Sequence, residues 1–257
     1  MLVKHRSCLL LLALTLATAP AGAWDLGCKF TADRKASADS AGVQRVEVFA
    51  RDGDLTLRPA AGSAVVASGK ACASNEQYLE QTQVHLRRQG NVLQVVVQVP
   101  DEMKGIGLLY TSLDLTVEVP VSLPVQVTDS SGDVDIDGAR VVRVTDSSGD
   151  IEARGLPADI EIDDSSGDIR VENSAGRVKV VDSSGDIVVQ GAREVLVQSD
   201  SSGDIVLEKI SSSVRIESDS SGDLTIAGVG GSVEVLSDST GDVKVSAVKG
   251  SVKLPDR

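Results

Sequence analysis

Fourteen aspartates held in seven near-identical copies are the residues of this 257-residue chain best placed by type and spacing to do chemistry. The motif Asp-Ser-Ser-Gly-Asp begins at Asp129, Asp146, Asp164, Asp182, Asp200 and Asp219, and a Thr-containing variant begins at Asp238. Three kinds of chemistry suit a carboxylate pair beside hydroxyls. The first is turn chemistry: the leading Asp accepts backbone N–H bonds, the serines do the same more weakly, and Gly takes a positive φ. The second is cation binding, because carboxylate, hydroxyl and carbonyl oxygens are the hard ligands Ca²⁺ prefers. Calcium-binding β-rolls share an 18-residue coil, but they carry a double Gly at every half-turn, whereas only alternate turns are acidic here. The third is glycoside hydrolysis, which needs two carboxylates in different environments. Seven equivalent, solvent-facing pairs with no aromatic platform for a sugar argue against a catalytic dyad. No catalytic residue, cofactor site or metal ligand is therefore assigned; turn chemistry is the leading reading and Ca²⁺ the first alternative.

The motifs recur at spacings of 17, 18, 18, 18, 19 and 19 residues, and each leads into an apolar alternation such as Ile169/Val171, Ile187/Val189 or Ile205/Leu207. Alternation at period two is a strand signal. A second alternation follows about nine residues on, at Val142/Val144, Ile160/Ile162, Val178/Val180, Val195/Val197, Val214/Ile216 and Val233/Val235. Aliphatics at i, i+2, i+9 and i+11 favour two sides over the three of a hexapeptide helix. The expected fold is all-β: a two-sided parallel β-solenoid of about 18 residues per coil, right-handed by the rule for parallel crossovers. Ser199, Ser218 and Ser237 each add a residue before a turn, which a one-residue β-bulge absorbs.

Upstream, Val46/Val48, Leu55/Leu57, Val84/Leu86, Val95/Val97 and Leu113/Leu115 alternate with looser turns, and Gly53-Asp54-Leu55 repeats the Gly-Asp-aliphatic junction. The domain reading is a signal peptide over 1–23, irregular β coils and a disulfide-bearing cap over 24–124, and the regular solenoid over 125–254. Residues 103–109 read as an insertion. The leader rests on Lys4, His5 and Arg6 before an apolar run, then Ala21-Gly22-Ala23, with cleavage after Ala23. The run is about 10 residues, too short to span a bilayer, and no later stretch competes. Cys8 leaves with the leader, so Cys28 and Cys72 are an even pair in an oxidising compartment and are expected to be bonded.

The formal charge is −13, and removal of the leader's two basic side chains takes it to −15. Such an acidic chain is not expected to bind nucleic acid, which calls for clustered Lys and Arg. Nothing aromatic follows Tyr110, no His follows His85 and no Cys follows Cys72. The repeats thus lack the usual nitrogen and sulfur metal ligands and any Cys/His nucleophile pair. Gly-x-Ser-x-Gly, phosphate-loop and Cys-x-x-Cys motifs are also absent. His85, Arg170 and Lys179 read as outward-facing strand residues.

The segment Leu113-Asp114-Leu115-Thr116-Val117-Glu118-Val119-Pro120, then Leu123-Pro124-Val125 and serial Ser-Gly-Asp-aliphatic turns, resembles the bacterial "putative adhesin" family of β-strand-repeat envelope proteins of unknown function. The resemblance covers roughly residues 43–254. It implies a β-solenoid exported to the envelope, and a fold name of this kind carries little mechanism by itself. The final residues, Ser251 to Arg257, offer no hydrophobic anchor, which counts against display on the cell surface. The expectation is an exported, periplasmic or secreted, non-enzymatic solenoid acting as a structural or adhesin-like module on an unidentified envelope or extracellular partner. A calcium-binding β-roll-like protein and a polysaccharide-active enzyme are the alternatives.

Overall fold

The computed structural model describes residues 28–100 and 109–256. The leader and nearly all of the 103–109 insertion lie outside them. The strands before the repeats are β1 (Phe30–Asp39), β2 (Arg45–Phe49), β3 (Leu55–Pro59), β4 (Ala64–Ala73), β5 (Gln83–Gln89), β6 (Val92–Gln98) and β7 (Thr111–Val119), with the helix α1 (Glu76–Gln81) between β4 and β5. The repeats supply β8 (Val125–Thr128), β9 (Val134–Asp137), β10 (Val141–Thr145), β11 (Ile151–Arg154), β12 (Ile160–Asp163), β13 (Ile169–Val181), β14 (Ile187–Ser199), β15 (Ile205–Glu208), β16 (Val214–Ile216), β17 (Leu224–Val229), β18 (Val233–Val235), β19 (Val243–Val248) and β20 (Val252–Lys253). A β-solenoid results, with every repeat strand pairing in parallel with its counterpart one coil away.

Two inner rows build the core. Val134, Ile151, Ile169, Ile187, Ile205 and Leu224 stack on one side, and Val125, Val141, Ile160, Val178, Val195, Val214 and Val233 on the other, all buried. Aliphatic, β-branched side chains suit this place because they pack on a pleated surface and carry no polar atom needing a partner. Each such burial contributes on the order of 1.5–3 kcal/mol. Five residues after each first-row member lies a third buried position, filled by Ala139, Leu156, Ser174, Ala192, Ile210 and Val229.

The coil lengths are reconciled by bulges. Val180 pairs with Val197 but Val181 with Ser199, so Gln198 is the extra residue, the one-residue bulge expected where the coil lengthens. At the shortest coil the expected pair Val142/Val144 is corrected. Val141 takes the inner position, Val142 is half-buried, and the register shifts between Val141 and Arg143. The coil has one residue fewer around its bend, so the inner face is reached a residue earlier and the strand bulges to rejoin the stack.

The region before Val125 departs from a simple run of looser coils. Strands β2 and β3 form one coil, but it is sandwiched in space: β2 lies between β6 and β8, and β3 between β7 and β9, all parallel. Beyond this stack the pairing turns antiparallel, with β5 on β6, β4 on β7 and β1 on β4. Antiparallel neighbours need only short turns, so hairpins can close the stack's end within few residues. Asn75 Oδ1 accepts the Tyr78 N–H at 2.8 Å and caps α1, while Arg34 donates to the Leu79 and Thr82 carbonyls at 2.6 and 2.7 Å near the helix's C-terminal end. A Cys28–Cys72 disulfide ties the start of β1 to β4. At the opposite end, the inner residues Val243 and Val245 are half-buried and Val252 is exposed.

Candidate functional site: two aspartate ladders on one edge

The acidic turn sorts its two aspartates to opposite sides of the backbone. Between them lies Gly, at φ between +114 and +138 from Gly132 to Gly241. A side chain at Gly185 would set its Cβ 1.9 Å from the Gly167 carbonyl oxygen, so the turns nest backbone against backbone. Nesting that close brings each turn's polar groups into reach of the next. From the second motif onward the second hydroxyl donates to a carbonyl one coil back, as from Ser166 to Ser147 and from Ser184 to Ser165, at 3.1 and 3.2 Å, while Ser131 of the first motif donates to the Asp52 carboxylate at 2.8 Å. The serines were expected to accept backbone N–H groups; the second of each pair donates instead, because stacking places an acceptor oxygen of the neighbouring coil beside its hydroxyl.

The second aspartates form an outer ladder. The N–H of each donates to Oδ1 of its counterpart one coil back: Asp150 to Asp133, Asp168 to Asp150, Asp186 to Asp168, Asp204 to Asp186, Asp223 to Asp204 and Asp242 to Asp223, at 2.8–3.0 Å. The ladder extends through Asp133 N–H to Asp54 at 3.2 Å and Asp54 N–H to Asp114 at 3.3 Å. The Gly53-Asp54-Leu55 junction thus does belong to the same column, although Asp54 stands 79 residues from Asp133. Like charges one strand apart repel, and here every carboxylate of the ladder before Asp242 is offset by a backbone donor.

The leading aspartates are corrected most. Asp129, Asp146, Asp164, Asp182, Asp200 and Asp219 are not solvent-facing: they are 0–2 % exposed and point into the stack. The backbone N–H groups of Ser147, Ser165 and Ser183 donate to Oδ1 of the preceding Asp at 2.7 Å, as turn chemistry requires. The Oδ2 atoms of Asp146, Asp164 and Asp182, and both carboxyl oxygens of Asp129, Asp200 and Asp219, are sealed from solvent without a hydrogen-bond partner. Burial raises Asp129, Asp164 and Asp200 to about 7 and Asp219 to about 6. Asp146 and Asp182 are also raised by burial, against the lowering effect of their serine N–H bonds. Hydration is the default for a carboxylate in sequence, and only coil stacking buries these.

Among the described residues, no group of three or more His, Cys, Asp or Glu is placed to hold a metal ion. The outer carboxylates already accept backbone hydrogen bonds, and the inner ones lie behind the turn. His85 is half-buried in β5. Arg170 pairs with Glu172 at 2.7 Å, and Lys179 with Glu161 at 2.9 Å.

Lys179 belongs to a pattern that sequence reading missed. Arg143, Glu161, Lys179, Leu196, Arg215, Glu234 and Lys253 occupy equivalent outward positions on successive coils. Charge alternates along the row except at Leu196, and ion pairs join Arg143 to Glu161 at 3.7 Å, Arg215 to Glu234, and Lys253 to Glu234 at 2.9 Å. Hydrogen bonds from Lys179 and from Lys253 hold Glu161 and Glu234 below the usual carboxylate range. Beside this row, Arg140, Arg177 and Arg193 line an open cleft of about 550 Å³, and Asp159 in its wall is lowered first by the Arg177 backbone N–H. Reading the repeats side by side at 17–19-residue offsets shows the alternation.

No protein-family model and no curated protein matches the chain. Among solved structures it is similar to a protein described as a "putative adhesin" from Parabacteroides merdae, at 12% identity and TM-score 0.44, over 86% of this chain and 95% of that one. A "putative cell adhesion protein" from Clostridium sporogenes is similar at 7% identity and TM-score 0.43, over 84% and 99%. A "putative lipid binding protein" from Parabacteroides distasonis is similar at 13% identity and TM-score 0.38, over 86% and 96%. Likeness at this level assigns no role to any residue.

Proposed function

We propose that this chain is an exported, non-enzymatic β-solenoid that serves the bacterial envelope as a structural or adhesin-like interaction module. The observation that carries the reading is the outward row from Arg143 to Lys253, a fixed charge pattern on in-register strands. Seven positions one strand spacing apart extend about 29 Å, held by a core that allows little bending. A surface of this kind recognises by matching charge over an extended contact, which confers specificity more than raw affinity. The two aspartates of an acidic turn do differ in environment, as an acid–base pair must, but the inner one is sealed from solvent on the far side of the backbone and is not presented to a substrate together with the outer one. Among the described residues no helix is long and apolar enough to cross a membrane. An address in the envelope follows from the leader read over residues 1–23.

The test replaces Leu196 or Arg215 on this face, and Val188 or Val206 on the other, with a photo-crosslinking residue in cells making the full chain. A reproducible adduct from one face is expected, lost when Arg143 and Lys179 are both changed to Glu. Absence of any face-specific adduct from folded protein overturns the reading. Cell fractionation with sequencing of the mature N-terminus checks export, and retention of Met1 in the cytoplasm counts against it.

A further inference from the structure

We propose that Asp129, Asp146, Asp164, Asp182, Asp200 and Asp219 form a proton-sharing ladder, in which a protonated carboxyl donates its O–H to the unpartnered oxygen of an ionised neighbour one coil away. Four observations converge on it. All six side chains are more than nine-tenths buried. Each has at least one carboxyl oxygen sealed from water with no partner. Their coils stack in register, through strand pairs above and below each turn and through a bridge directly between Asp200 and Asp219, at the strand spacing of about 4.8 Å. Among the described residues no Lys, Arg or His pairs with any of them, and the charged groups that face them are all acidic: Asp52, Asp54 and the next Asp for Asp129, Asp133 for Asp146, Asp168 for Asp182, Asp204 and Asp238 for Asp219, and adjacent ladder members for Asp164 and Asp200.

Six ionised carboxylates in this column would combine desolvation with mutual repulsion, and a buried charge left unpaired is strongly unfavourable. A proton relieves both at once, since it removes one charge and supplies the missing donor. Two carboxylates that share a site ionise in separate steps for the same reason. A metal ion is the poorer solution because the motif's hydroxyls donate to carbonyls of the neighbouring coil and leave few inward oxygens for coordination. Sharing one proton per pair places three protons on six carboxyls. Burial raises all six, the alternate members Asp129, Asp164 and Asp200 to about 7. The device is a pH-linked clasp along the edge of the solenoid. Because the folded pKa lies above the unfolded one, its stabilisation is complete below about pH 4 and is lost as the pH rises through about 7.

The experiment is urea unfolding of the full mature chain, disulfide intact, from pH 5 to 8 in EDTA and 0.5 M NaCl, with the salt screening the exposed outer ladder. Three extra protons in the folded state predict a folding constant that falls roughly 1,000-fold per pH unit near pH 6. Asp164→Asn keeps the shape, removes the charge and carries its own donor; it is expected to reduce that slope by about tenfold per unit and to stabilise the fold at pH 8. The ¹³C signals of the six carboxyls in the unaltered protein provide a readout that does not depend on any variant folding. Midpoints near neutrality for alternate members sustain the proposal. Ordinary carboxylate midpoints for all six, a flat pH profile, or a profile that EDTA creates and Ca²⁺ abolishes overturns it.

Discussion

Gly185→Ala tests whether backbone nesting at the acidic turn is what sets the coil spacing. The new Cβ would stand 1.9 Å from the Gly167 oxygen and 2.6 Å from its carbonyl carbon, both backbone atoms that no rotamer can move aside. Gly185 also sits at φ +137, where an L side chain is strained by about 1–3 kcal/mol. Ordinary contact near 3.4 Å needs the turns to part by more than an ångström out of about 4.8 Å. That separation strains the Gly167 N–H bond to the Ser184 carbonyl, the Ser184 hydroxyl bond to the Ser165 carbonyl and the Asp186 N–H bond to Asp168, at 3.1, 3.2 and 2.9 Å. At about 0.5–1.5 kcal/mol for each bond, the sum with backbone strain is roughly 3–7 kcal/mol. Gly90→Ala is the control, since Gly90 also has positive φ, +61, but nothing lies within 4 Å of its Cβ position; the expected loss is about 1–2 kcal/mol. Urea unfolding of both variants followed by circular dichroism gives the comparison. Losses within about 1 kcal/mol of one another would refute the claim that the glycines are there for close approach rather than for φ alone.

The core, the outer ladder and the disulfide yield three more expectations. Ile187→Ala should cost about 2–5 kcal/mol by opening a cavity in the first inner row, while Val252→Ala, at 46% exposure in the last coil, should change the same unfolding midpoint little. Asp168→Asn retains the Oδ1 acceptor for the Asp186 N–H and should be close to neutral, whereas Asp168→Ala should lose about 0.5–1.5 kcal/mol and speed exchange of that amide in hydrogen-exchange NMR. Replacing both Cys28 and Cys72 with Ser removes a cross-link spanning 44 residues and should cost about 3–4 kcal/mol, read as a lower melting temperature than the oxidised protein. An equal melting temperature for the two would show that β1 and β4 are held by their strand pairing alone.

Much of the architecture could be read from residue order because a solenoid repeats one local rule. Aliphatics at i, i+2, i+9 and i+11 announce two inward rows, and Gly before the second Asp announces a positive-φ turn. The extra serines announce the bulge now seen at Gln198. Where a column mixes residue types, the signal disappears. Ala139, Leu156, Ser174, Ala192, Ile210 and Val229 share a buried place at the bend, yet no property of their side chains marks them as a set. The choice of Val141 over Val142 at the shortest coil is equally mute, since two adjacent valines are chemically identical and only the register of the neighbouring coil selects one.

Sequence alone determined the all-β class, the parallel repeat, its pitch and the residues of the acidic turn, because strand alternation and turn preference are local properties of the chain. Tertiary structure decided three things that local rules do not reach. It placed the β2–β3 coil between strands that follow it in the chain, through pairings that bridge tens of residues. It closed that end of the stack with antiparallel strands. In six of the seven motifs it also turned the first aspartate into the stack and left the second at the outer edge. The last of these has the largest chemical consequence: a carboxylate's environment is set by what stacks above and below it, and those neighbours lie a full coil away in sequence.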